Sequence, residues 1–169
     1  MTRLTFDLPD PAATDELGRA LARSFPGADD ACRVVHLQGE IGAGKSSLVR
    51  AFLRACGVRG AIRSPTYTLV ETHPAGATTF VHVDLYRLRD RTETEGLGLR
   101  ECLAPGRVLL IEWPERGAAT LPTPDLQIRL VDHGDGRRAS IESGTDVGAT
   151  WLRYLASDDR TISYLSNLT

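Results

Sequence analysis

The chain of 169 residues carries 20 basic against 22 acidic residues, a net charge of −2, with 41% hydrophobic and 25% charged positions. That length suits one domain able to bury about 70% of its unfolded surface, and the composition excludes a disordered chain. The charge excludes a broad positive field for nucleic acid, so any RNA contact has to be local or delegated to a partner.

The first ten residues lack the uninterrupted apolar stretch of a signal peptide, and nowhere is there an apolar run of about 18 residues that would cross a membrane. The expectation is a cytoplasmic protein with no membrane attachment. Cys32, Cys56 and Cys102 are odd in number and form no C-x-x-C pair, so they read as buried free thiols.

In chain order, Thr14 is the expected N-cap of a first helix, with Asp15 and Glu16 in its first turn, Leu17, Ala20, Leu21 and Phe25 on one face, and Pro26-Gly27 as its stop. Arg33 to Gln38 reads as a short strand around Val34, Val35 and Leu37. After a glycine-rich segment the period becomes helical, with Leu48, Phe52 and Ala55 on one face and Gly57 as the stop. Thr66 to Thr72 and Thr79 to Leu85 form an expected antiparallel hairpin around Pro74-Ala75-Gly76. Thr92-x-x-Glu95 resembles a capping box opening a short helix that ends near Pro105-Gly106, before the buried strand Val108 to Ile111. Asp125 to Val131 and Arg138 to Glu142 alternate in period two around Gly134-Asp135-Gly136, a second hairpin. Thr145 to Ala156, with Trp151, Leu152 and Leu155, closes the fold as a helix, and past Ser157 no element is expected.

Gly39-Glu40-Ile41-Gly42-Ala43-Gly44-Lys45-Ser46 matches the phosphate-binding pattern G-x-x-x-x-G-K-[ST], placed between a strand and a helix as that chemistry requires. Glycines let successive backbone N–H groups turn inward around phosphate oxygens. Lys45, the one lysine beside 19 arginines, reaches the β and γ phosphates as a compact charge, and the Ser46 hydroxyl is suited to magnesium. A second acid belongs at the end of a buried strand; Glu112 and Asp84 are the candidates. His82 reads first as a packed, hydrogen-bonded histidine, with a ligand or base role as its alternative. Trp113 is either a stacking surface or a core cap. No Asn-Lys-x-Asp guanine-reading motif is present, which favours ATP over GTP.

These segments resemble one family closely. The loop Gly39 to Ser47, the run Ser64-Pro65-Thr66-Tyr67-Thr68-Leu69-Val70, the run His82-Val83-Asp84-Leu85-Tyr86-Arg87-Leu88 and the run Ile111-Glu112-Trp113-Pro114-Glu115 are similar, in order and spacing, to the bacterial ATPase of tRNA threonylcarbamoyladenosine biosynthesis, the TsaE (formerly YjeE) family. Glu40 and Ile41 stand where that family usually has Asp and Leu, and Ser46 where threonine is commoner. The resemblance implies one α/β domain over residues 1–157, a P-loop NTPase three-layer sandwich with a mixed, mainly parallel central sheet, followed by a tail at 158–169. It implies ATP and Mg2+ as ligands, with Gly39 to Ser47 around the phosphates and Ser46 and Glu112 on the metal. It further implies Asp84 near the γ-phosphate, Trp113 beside the site, and Thr14 and Gly136 on the adenine side. The implied catalytic set is Lys45, Asp84 and Glu112. The implied partner is a threonylcarbamoyl transferase heterodimer of TsaB and TsaD type, through which tRNA is reached. A nucleotide-dependent scaffold with incidental hydrolysis and a small-molecule kinase are the rival readings.

Overall fold

The computed structural model describes residues 2–89, 91–117 and 119–168. Its strands are β1 (Arg3–Leu8), β2 (Arg33–Gln38), β3 (Val70–Ala75), β4 (Thr78–Asp84), β5 (Arg107–Glu112), β6 (Leu126–His133), β7 (Gly136–Ser143) and β8 (Leu165–Leu168); its α-helices are α1 (Pro11–Arg23), α2 (Lys45–Ala55), α3 (Arg91–Glu95) and α4 (Asp146–Ala156). All these strands join one sheet in the order β3-β4-β5-β2-β6-β7-β1-β8. The central strands β4, β5, β2 and β6 are mutually parallel. β3 closes one edge antiparallel, and β7, β1 and β8 extend the other by antiparallel pairing. The sheet is therefore mixed, parallel at its centre and antiparallel at both flanks.

Two cores lie on its two faces. On one, Leu17 and Leu21 of α1, Leu48 and Phe52 of α2 and Trp151 and Leu155 of α4 pack on Val35, Leu37, Leu110 and Ile128. On the other, Val34, Val81, Val83, Leu109 and Ile111 are covered by Leu88, Leu99 and partly buried Trp113. The second covering layer is thin, carried by the turns on either side of α3 (Leu88, Leu97 and Leu99) and by the turn at Trp113, and it spans only the parallel half. Over the antiparallel half the same face is polar: Arg129 is exposed and Arg3, Thr5 and Asp7 alternate with buried Leu4, Phe6 and Leu8. Antiparallel strands tolerate one wet face, whereas parallel strands are covered on both.

β2, the helical stretch after the glycines, the β3–β4 and β6–β7 hairpins and α4 occupy the places their residue patterns predict. Several boundaries differ. α1 starts one turn earlier than expected, because extended Asp10 accepts a hydrogen bond from the Ala13 backbone N–H at 2.8 Å and Pro11 fills the first helical position. Thr14 is thus a buried residue inside α1, not its cap. Ala55 is exposed, and Val49 and Leu53 complete the buried face of α2 instead. Thr66 to Leu69 is a turn, closed by Leu69 N–H to the Pro65 carbonyl at 2.7 Å, so strand pairing begins only at Val70. Thr92 is the second residue of α3, and its side chain lies outside the described residues. The three free cysteines are half-buried, and burial pushes the thiols of Cys32 and Cys56 up to about 11 and about 12. β1 and β8 were not expected; β8 pairs with β1 at the sheet edge.

Candidate functional site

The glycine-rich segment leaves the C-terminal end of central strand β2 and enters α2, so it lies at the end of the sheet where the parallel strands finish. Gly39 has φ +146° and its α-hydrogen faces the Leu130 carbonyl so closely that a Cβ would sit 2.5 Å from that oxygen. Gly44, at φ +100°, caps α2 with no side-chain hydrogen bond of its own. The first N–H groups of α2 accordingly point into the loop, an arrangement that favours an anion.

Lys45 is buried at 5% exposure, its Nζ donating to the carbonyls of Gly39 at 2.6 Å and Glu40 at 2.9 Å. The same ammonium lies 4.2 Å from the centre of the Trp113 ring. Burial lowers the lysine from its ordinary range, while Glu112, Asp84, Glu115 and Glu40 oppose that shift. Ser46, the next residue, donates from Oγ to Glu112, 3.0 Å to Oε1 and 3.1 Å to Oε2.

Parallel pairing of β4 and β5 brings Asp84 directly opposite Glu112 at the strand ends. Both carboxylates are buried, Asp84 at 4% and Glu112 at 2% exposure. Asp84 accepts from Thr66 Oγ1 at 3.2 Å and from the Tyr86 N–H at 2.9 Å. Its own N–H donates to the Leu69 carbonyl, so the turn before β3 is fastened to this acid. Beyond Glu112, Trp113 adopts the left-handed backbone conformation at φ +58°, its N–H donating to Leu37 at 3.1 Å and its ring 5.0 Å from Tyr86. Leu69 is the other non-glycine residue at positive φ among those described. The two strained residues therefore abut the two acids, where strain concentrates at working sites.

Thr14 and Gly136 also converge on the loop from its other side. With Asp10, Ala43, Ser47 and Arg137 they line a cleft of about 230 Å³. Arg137 ties the β6–β7 hairpin to the loop through Nη2 to the Gly42 carbonyl at 3.2 Å. A second cleft of about 500 Å³ opens beside Gly39 and Glu40, between Trp113 and Arg129. Ile41 stands at the loop tip, 72% exposed. Lys45, Ser46, Asp84, Glu112 and Trp113 thus gather on one side of the loop, with Thr14 and Gly136 on the other.

His82 is packed and hydrogen-bonded, as its place in a strand predicts; its partner is what the sequence does not show. It is 1% exposed and its Nε2 donates to Glu112 Oε1 at 2.7 Å. The signal was its even spacing with Asp84 on one strand, but the bond depends on the β4–β5 register. His73, by contrast, has a buried Nε2 with no partner among the described residues and is lowered chiefly by burial.

The donor set is oxygen-only: a hydroxyl and a carboxylate in contact, with a second carboxylate alongside. That fits a hard divalent cation such as magnesium, which takes one or two protein oxygens and completes its shell elsewhere. Among the described residues no group of three or more His, Cys, Asp or Glu side chains forms a fuller metal cage.

The family model for threonylcarbamoyl adenosine biosynthesis protein TsaE matches residues 8–140. A Haemophilus influenzae protein named tRNA threonylcarbamoyladenosine biosynthesis protein TsaE is 34% identical over 149 residues, covering 88% of this chain and 94% of the relative. Its Bacillus subtilis namesake is 32% identical over 138 residues, 82% and 84% of the two chains. The crystal structure of Bacillus subtilis YdiB superposes with a TM-score of 0.75 at 21% identity, covering 94% of this chain and 98% of that one, which establishes the shared fold. With the family model spanning loop, acids and hairpin alike, and relatives matching along most of both chains, the protein belongs to the TsaE family of threonylcarbamoyl adenosine biosynthesis proteins.

Proposed function

We propose that this protein binds ATP with magnesium at the Gly39–Ser46 loop and hydrolyses it to sustain a threonylcarbamoyl transferase that modifies tRNA. The observation that carries the reading is the contact of Ser46 with Glu112, which joins the start of α2 to the end of β5 at the mouth of the loop. The loop N–H groups and the α2 terminus take the β and γ phosphates. Lys45 exchanges its two carbonyl bonds for phosphate oxygens, and the Trp113 ring keeps its ammonium in place. Ser46 and Glu112 hold the magnesium, which when bound neutralises charge on the phosphates. Asp84, fixed by Thr66 and the Tyr86 N–H, orients the attacking water. Thr14, Ser47 and Gly136 line the cleft in which the adenosine end lies.

The partner in this reading is a transferase heterodimer of TsaB and TsaD type, and tRNA is reached through it, consistent with a net charge of −2. No helix among the described residues is long and apolar enough to cross a membrane. The test is magnesium-dependent phosphate release from ATP by the protein alone, then with purified heterodimer and tRNA. Stimulation by the partner is the expected result. Tight ATP binding without stimulation would instead mark a nucleotide-dependent scaffold, and ATP consumption that requires a small-molecule acceptor would mark a kinase.

A further inference from the structure

Glu112 also takes a buried bond from His82, a residue with no part in the proposed hydrolysis. Among the described residues Oε1 of Glu112 receives two protein donors, His82 Nε2 at 2.7 Å and Ser46 Oγ at 3.0 Å, whereas Oε2 receives only Ser46 at 3.1 Å. A carboxylate oxygen only accepts, so Nε2 carries the proton of this bond. The imidazole is itself locked: it is 1% exposed in β4, between Phe80 and Asp84 on one face, and the β4–β5 pairing sets its distance to Glu112. Its Nδ1 is buried with no partner among the described residues, so nothing else on the ring competes for its orientation.

We infer that His82 is a positioning residue for the metal-holding carboxylate. By holding Oε1 it fixes the torsion of Glu112 and leaves Oε2, which the imidazole does not bind, to face the cation next to Ser46. A side chain that orients a ligating carboxylate in this way governs metal affinity by about 10- to 100-fold. The inference rests on Glu112 being a magnesium holder, and its test separates the two claims.

The measurement is binding of a fluorescent ATP analogue, first in EDTA and then titrated with Mg2+, for His82→Gln, His82→Asn and Glu112→Gln. A glutamine amide reaches the place of Nε2; an asparagine amide reaches only that of Nδ1. In His82→Asn the Mg2+ concentration for half-saturation is expected to rise at least tenfold while EDTA-state affinity stays within threefold of the parent; His82→Gln is expected to restore the parent value to within threefold. Equal Mg2+ requirements in the Gln and Asn variants would overturn the positioning role. If Glu112→Gln itself leaves the Mg2+ requirement unchanged, the assignment of Glu112 as metal holder fails, and the inference with it. If Glu112→Gln shifts the requirement and His82→Asn does not, only the positioning role fails. Thermal melting in EDTA verifies that each variant is folded, and a variant that loses nucleotide binding in EDTA as well as in Mg2+ would assign His82 to the structure of the loop and overturn the inference.

Discussion

Lys45 shows how narrowly a single side chain is specified. Its ammonium fits between two backbone carbonyls and the face of Trp113, a space for a compact charge. A guanidinium is planar and wider, so Lys45→Arg is expected to weaken ATP binding at least tenfold, about 1.4 kcal/mol, with little change in melting temperature; calorimetric titration checks it. His36 is specified by burial instead. It sits in central strand β2, 9% exposed, and burial drives its imidazole from 6.5 down to about 4, a bond with the Pro122 backbone acting the other way. A pKa depressed in the folded state means that the unfolded chain binds the proton more readily. The associated stability is therefore complete above pH 6.5 and lost as pH falls towards 4, at most about 3 kcal/mol. Urea unfolding at pH 7 and pH 4.5 is expected to show a smaller acid loss in His36→Gln than in the parent.

At the scale of elements, the two long helices at the ends of the chain are started by different kinds of cap. Asp10 caps α1 from an exposed position with one side-chain bond from Ala13 N–H. Thr145 caps α4, accepting from Gly148 N–H at 3.1 Å, and its hydroxyl also donates to buried Asp125, whose other oxygen accepts from Val34 N–H at 2.9 Å. Removing a simple cap costs about 1 kcal/mol. Removing one that leaves a buried carboxylate short of a donor costs more, about 2–3 kcal/mol. Denaturant midpoints for Asp10→Ala and Thr145→Ala are expected in that order, and the reverse order would deny the Asp125 link. These elements also show where a sequence is readable. β2 and β5 are short apolar runs with a glycine at one end, Gly39 and Gly106, and α2 is an amphipathic run between Gly44 and Gly57, so local pattern suffices. β1 alternates through Leu4, Phe6 and Leu8, but its partner β7 lies at the far end of the chain, Arg3 opposite Glu142, and no local turn announces the pairing. The positions of the loop and both acids are legible because each lies at the end of its own strand; the His82–Glu112 bond is not, because it exists only once β4 and β5 are in register.

For the whole molecule, the tail is a structural part of the sheet. β8 covers the outer edge of β1, Tyr164 and Leu165 pack against the main core, and Asp158 is paired with Arg23 at 2.8 Å. Removing residues 160–169 is expected to cost about 2 kcal/mol from the lost apolar burial. The shortened chain is expected to keep the oligomeric state of the parent by light scattering, because Arg3 and Asp7 place charges along the newly bare edge. Concentration-dependent association would show that β8 is the sole guard of that edge.

The two tryptophans divide the molecule's optical signal between its two concerns. Trp151 is 1% exposed in the main core, its indole N–H bound to the Leu21 carbonyl at 3.0 Å, while Trp113 lies half-buried beside Lys45. A Trp113→Phe protein therefore emits from the core alone and follows unfolding without interference from ligand, whereas Trp151→Phe leaves an emitter that follows the loop. One chain thus supplies separate intrinsic reporters for its stability and for its site.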